Sequence, residues 1–136
     1  MNISVSTENG RVPVTVLKLD GQLDGQNYQD LINKAKELYA AGARDFLVDM
    51  GDLTYISSAG LVALHSVALL TKGEEMPDTE NGWSAYRSMG KTSKASVQEH
   101  IKLLSPRDDV KSVLDMVGFG NVFQIFNDRD EAVRSF

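Results

Sequence analysis

The chain reads as an α/β domain on a mixed β-sheet, and three observations carry that reading. Short apolar runs alternate with segments of helical periodicity, the first residues carry a hairpin pattern, and no repeat or linker divides the 136 residues. A single domain over 1–136 is expected, with about five strands packed with about four helices and one long inserted loop after the second helix. At 42% hydrophobic and 24% charged residues, the composition suits one self-sufficient core.

Ile3 and Val5 alternate with polar neighbours, Asn9-Gly10 supplies a turn, and Val12, Val14 and Val16 alternate again, which predicts an opening hairpin. Pro13 suggests an edge position or a bulge, and the phase change from Val16 to Leu17 and Leu19 fits either a bulge or burial on both faces. Residues 20–27 form a polar loop with two glycines. Tyr28, Leu31, Ile32, Ala35, Leu38 and Tyr39 then make a helical stripe that Gly42 ends.

Phe46, Leu47 and Val48 read as a strand buried on both faces, with residues 49–55 as the loop that follows. The second helix is expected from about Ser58 to Leu70. It is apolar almost all round, so it should pack against the sheet and a further helix or partner. Residues 73–99 break the periodicity with Gly73, Pro77, Gly82 and Gly90; they read as an inserted loop, either disordered or partner-binding, in which Trp83 is the possible partner contact.

Ile101, Leu103 and Leu104 form the next strand, and Ser105-Pro106-Arg107-Asp108 reads as a helix start with Ser105 at the N-cap. Val110, Val113, Leu114 and Val117 carry that helix to Gly118. Residues 122–126 are expected as the last strand, followed by a short helix capped by Asn127 or Asp128.

Composition narrows the function classes. The absence of cysteine excludes disulfides, thiolate metal sites and thiol nucleophiles. A net charge of −5 argues against a nucleic-acid partner, which needs clustered cations to displace counterions; the basic stretch at 87–94 is better read as a solvated loop. The N-terminal residues lack a signal-peptide pattern and no stretch is apolar for the length of a membrane span, so a cytoplasmic protein without a membrane partner is the default expectation.

Catalytic and ligand motifs are weak. Ser58 has Gly60 two residues on but Ile56 two residues before, so the Gly-x-Ser-x-Gly elbow fails. His65 and His100 are the only histidines, and with no second His and no Cys nearby in sequence a core or surface role outweighs a metal or general-base role. Neither a cofactor nor a metal is expected, nor an enzymatic activity. What stands out is the serine pair Ser57 and Ser58 at a strand-to-helix junction, where free backbone N–H groups and the helix dipole favour a hydroxyl or a phosphate. Asp24, Asp49 and Asp52 lie in segments that could converge on it at one sheet edge; turn and cap chemistry is the competing account.

The run Leu47-Val48-Asp49-Met50-Gly51-Asp52-Leu53-Thr54-Tyr55-Ile56-Ser57-Ser58-Ala59-Gly60-Leu61 resembles the STAS domain of the anti-sigma factor antagonist type, with its buried strand, its Asp-Leu-x-x loop and its Asp-Ser-Ser/Ala-Gly-Leu. Gly21-Gln22-Leu23-Asp24-Gly25-Gln26-Asn27 is similar to the family's Gly-x-Leu-Asp-x-x-Asn loop. Val113-Leu114-Asp115-Met116-Val117-Gly118-Phe119 is similar to its Val-Leu-x-x-x-Gly-Leu segment, and the resemblance covers the chain apart from 73–99.

This resemblance implies a STAS-like fold and a partner switch. Ser58 aligns with the phosphoacceptor, and Ser57, standing where aspartate is more frequent, is a rival acceptor. Asp24, Asn27, Asp49, Asp52, Ser57, Gly60 and Leu61 would bind the partner or support the phosphosite. The implied partners are an anti-sigma factor that is also a serine kinase and a PP2C-type phosphatase that resets the switch. STAS domains also serve as unphosphorylated binding modules in transport and stress assemblies, and that alternative stays open at this point. So does the oligomeric state.

Overall fold

The computed structural model describes residues 1–72 and 98–136. Trp83 and nearly all of the expected insertion lie outside the described residues. Five strands, β1 (Asn2–Asn9), β2 (Pro13–Leu23), β3 (Phe46–Ile56), β4 (Ile101–Leu104) and β5 (Ile125–Phe126), form one sheet in sequence order. β1 and β2 pair antiparallel and every later pair is parallel, so the sheet is mixed. Among the described residues four α-helices accompany it: α1 (Tyr28–Ala40), α2 (Ser58–Thr71), α3 (Asp108–Met116) and α4 (Arg129–Arg134).

Alternation along β2 explains the layers. Leu17 and Leu19 face one side with Phe46, Val48 and Met50 of β3 and Ile101 and Leu103 of β4, and α1, α2 and α3 cover them. Val14 and Val16 face the other side with Leu47 and Leu104, under Ala132 and Val133 of α4. The phase change at Leu17 is therefore burial on both faces. Gly10, in the hairpin loop, lies so close to α4 that a Cβ there would fall 2.7 Å from Val133 Cγ1, so the glycine serves close approach.

Pro13 sits at the first position of β2, a central strand, paired with Asn9, and neither an edge nor a bulge is needed to place it. α2 is buried on nearly all sides because it lies between the sheet and α1.

The residues expected as loops at 20–23 and 49–55 are strand. β2 continues to Leu23 and β3 to Ile56, paired in parallel through Asp20↔Asp52, Gly21↔Leu53 and Leu23↔Ile56. β3 spends extra residues twice: Met50 and Gly51 oppose Leu19 alone, and Thr54 is extra between Leu53↔Gly21 and Tyr55↔Gln22. These bulges turn the buried positions of β3 from a period of two into the spacing Met50, Leu53, Ile56, which does not look like a strand in sequence.

Two later expectations are also corrected. Ser105 is not the cap of α3: its φ is 52° and its N–H extends the sheet by donating to Phe126 O at 2.7 Å. Arg107 occupies the N-cap, and Asp108 and Asp109 place negative charge in the first turn. The last strand shortens to Ile125–Phe126, because Phe119–Asn121 forms a 3-10 turn after left-handed Gly118 that buries Phe119 and Phe123 edge to face. Asp128 caps α4 as expected, accepting from Glu131 N at 3.1 Å.

Candidate functional site

The serine pair sits where β3 leaves the sheet and α2 begins. Ser57 N–H still belongs to the ladder and donates to Leu23 O at 2.9 Å. Ser57 then becomes the N-cap, with extended backbone and a side-chain Oγ that accepts from Gly60 N at 3.3 Å. Ser58 is the first residue inside the helix and is exposed. Its hydroxyl takes no hydrogen bond among the described residues. Among the described residues, capping falls to Ser57 and not to Ser58.

The helix starts at that point because the chain cannot do otherwise without losing packing. A Cβ on Gly60 would stand 2.7 Å from Ile56 Cγ1 and 2.9 Å from both Leu23 Cγ and Leu23 O. The absence of a side chain lets the first turn of α2 press on the ends of β2 and β3. Leu61, only 2% exposed, anchors the same turn in the core. Gly60 and Leu61 therefore hold the site from inside rather than present a surface.

Asp24 and Asn27 come beside the pair because Leu23, the partner of Ser57, is followed at once by their turn. Asn27 Oδ1 accepts from Asp24 N at 2.9 Å, its Nδ2 donates to Gln22 O at 2.7 Å, and Asp24 Oδ1 accepts from Gln26 N at 2.9 Å. Asp24 O also receives the N–H groups of Asn27 and Tyr28, so this acid-bearing turn is fixed against the start of α1.

Asp49 and Asp52 do not join them. Both lie within β3, opposite Asp20 and Lys18 of the unbulged β2, three and five residues before Leu23, so at about 3.3 Å per residue Asp52 stands about 10 Å and Asp49 about 17 Å short of Ile56 along the strand. Their side chains are engaged locally. Asp49 Oδ1 accepts from Gly51 N at 3.0 Å, and Asp52 Oδ2 is 3.1 Å from Lys18 Nζ. That hydrogen bond and the charge of Asp52 hold the Lys18 amine above its ordinary value. Of the acids expected to converge, only Asp24 adjoins the serines.

Neither imidazole reaches Ser58. His65 lies seven residues along α2, about 10 Å of helix rise, and is buried. His100 precedes β4 at the opposite end of the sheet, its Nδ1 2.8 Å from Asp45 Oδ1. Tyr55, half exposed at the end of β3, is a chain neighbour of the serines that periodicity did not single out. Its signal was an aromatic ring two positions before the cap, hidden while the segment read as loop.

The STAS domain model described as Mlab matches residues 7–77, more than half of the chain and all of the segment from β2 through α2. The chain belongs to the STAS domain family. No curated protein matches it in sequence. Among solved structures, this STAS domain is similar to a Thermotoga maritima protein described as an anti-sigma factor antagonist, with a TM-score of 0.68, 16% identity and coverage of 97% of this chain and 94% of that one. It is similar to an anti-sigma factor antagonist from Mycobacterium paratuberculosis, with a TM-score of 0.61, 16% identity and coverage of 98% and 95%. It is also similar to the phosphorylated form of the Bacillus cell fate determinant SpoIIAA, with a TM-score of 0.55, 13% identity and coverage of 97% and 96%. At these identities the likeness is one of fold. Among the described residues no helix is long and apolar enough to cross a membrane.

Proposed function

We propose that this chain, as a single STAS domain, is a cytoplasmic, non-enzymatic anti-sigma factor antagonist that works as a phosphorylation-controlled partner switch with Ser58 as the acceptor. The unphosphorylated form binds an anti-sigma factor that is also a serine kinase and thereby releases the sigma factor; a PP2C-type phosphatase resets it. The observation that carries this reading is the division of labour between the serines. Ser57 Oγ is committed to Gly60 N at 3.3 Å, whereas the neighbouring Ser58, at the first turn of a 14-residue helix, is exposed and takes no hydrogen bond among the described residues.

The switch acts at the interface. A phosphate of charge near −2 at a helix N-terminus favours the helix, so modification leaves the fold intact. Beside the fixed turn at Asp24 it raises local negative charge and must be desolvated when a partner docks, which weakens docking. Tyr55, the turn at 24–27 and Ser58 form the surface on which the partner sits. Asp49 and Asp52 act on it only through the sheet.

A phosphorylation-independent STAS binding module in a transport or stress-signalling assembly is the second reading. The serine at position 57, in place of the more frequent aspartate, favours it. Phosphopeptide mass spectrometry on protein from native cells, repeated with Ser57→Ala and Ser58→Ala, separates the two. Phosphate on Ser58 that survives Ser57→Ala supports the switch, and no phosphate at either serine establishes the binding-module reading in its place. The Ser58→Asp form should keep its circular-dichroism spectrum while losing affinity for the kinase.

A further inference from the structure

β1 is one outer edge of the sheet. Its register with β2 runs without a shift from Asn2↔Asp20 to Asn9↔Pro13, and it contains no proline, lysine or arginine. In an antiparallel ladder alternate residues direct N–H and C=O away from the partner, so β1 offers a straight row of backbone donors and acceptors. Asn2, Ser4, Val5, Ser6, Thr7 and Asn9 are exposed, Val5 at 42%. The sole charge of the strand, Glu8, is held at 3.1 Å by Arg129 of α4, which also donates to Ser6 Oγ at 3.2 Å. The devices that keep sheet edges apart, a bulge, a proline or an unpaired lysine, are missing here.

We propose that β1 pairs antiparallel with β1 of a second copy about a two-fold axis through Val5, joining the two five-stranded sheets edge to edge. An antiparallel strand is complementary to itself across such an axis, which makes a second copy the partner that this edge fits without further design. With the axis normal to the sheet, opposed side chains share a face, so Val5 must oppose an odd-numbered residue. The register through Val5 sets the exposed valines against each other, Ile3 opposite Thr7 and Ser4 opposite Ser6. It places Glu8 opposite Asn2, so no like charges meet across the seam. Arg129 keeps Glu8 engaged on the α4 side, away from the valines.

Sedimentation velocity over a concentration series of the full chain tests this. Wild type should populate a dimer as concentration rises. Val5→Lys and Val5→Glu should each be monomeric with unchanged circular dichroism, since like charges then face each other at the axis, and an equimolar mixture of the two should recover the dimer. Thr7→Lys, at another exposed position of the strand, should also weaken the dimer, and it stands in if a Val5 variant misfolds. A wild type that stays monomeric at every concentration overturns the proposal, as does a dimer indifferent to these charges. A charge-paired mixture that stays monomeric overturns the register through Val5.

Discussion

Arg107 Nε donates to the carbonyl of Gly51 at 3.0 Å, across 56 positions of sequence. Gly51 belongs to the first bulge of β3, and its N–H is taken by Asp49 Oδ1 at 3.0 Å. Gly51 thus has a side chain on each of its backbone polar groups, one from its own strand and one from the N-cap of α3. The second bulge is tied in the reverse sense, its extra residue Thr54 donating Oγ1 to Gly21 O of β2 at 3.0 Å. Side chains replace the ladder where the extra residues interrupt it, so β3 remains a strand up to Ile56 and delivers Ser57 to the helix start.

The two serines are expected to separate in stability measurements. Ser57→Ala removes the acceptor of Gly60 N and should cost about 1 kcal/mol. Ser58→Ala removes an exposed hydroxyl and should stay within about 0.5 kcal/mol of wild type. Urea unfolding of both variants checks this, and equal losses would contradict the division of roles.

Gly60→Ala should destabilise despite the better helix propensity of alanine. Propensity favours the change by about 1 kcal/mol. The new Cβ, however, would stand 2.7 Å from Ile56 Cγ1 and 2.9 Å from Leu23 O, a backbone atom within the sheet that cannot rotate away. Overpacking of this kind costs about 1–3 kcal/mol, so the net change should be a loss. Thermal unfolding reads it, and a raised midpoint would show that the helix start can shift.

Two lysines should give the alkaline stability profile opposing contributions. Lys18 is held above its ordinary value by its hydrogen bond to Asp52 and by the charge of Asp52. Its contribution is complete below the unfolded value near 10.5 and is lost as pH rises through the higher folded value. Lys102 is pushed down by burial, chiefly desolvation, although Nζ donates to Ser135 O at 2.8 Å and Ser135 Oγ at 3.0 Å. Its charged form is disfavoured in the fold below the lowered value, and that cost is relieved as pH rises toward the unfolded value. Urea unfolding from about pH 9 to about pH 11 should therefore show Lys18→Met removing a fall in stability and Lys102→Met removing a rise. Shifts of the same sign in both variants would contradict this assignment.

Much of the frame was legible in residue patterns. The hairpin follows from alternation around Asn9-Gly10 and α1 from its stripe and Gly42, while the phase change from Val16 to Leu17 and Leu19 left a bulge and burial on both faces as alternatives for β2. A cap at Asn127 or Asp128 and a helix start at about Ser58 were equally plain, because caps and periodicities are local and a few residues suffice to set them.

Residues 49–56 and 105–107 were not legible, for one shared reason: their conformation is fixed by partners far along the chain. The spacing Met50, Leu53, Ile56 becomes a strand only when β2 lies alongside and Arg107 and Thr54 take up the bulge carbonyls and their neighbours. Ser105 loses the cap because its N–H is claimed by Phe126 O. The sequence by itself determined that a serine pair opens α2 and which acids lie near it in the chain. The tertiary structure bears out Ser57 as the cap that the sequence led one to expect, and it alone decided that Asp24 stands beside the serines while Asp49 and Asp52 stay behind in the sheet. A strand rises about 3.3 Å per residue, so acids a few positions upstream are carried well away from the site that sequence distance suggests they share.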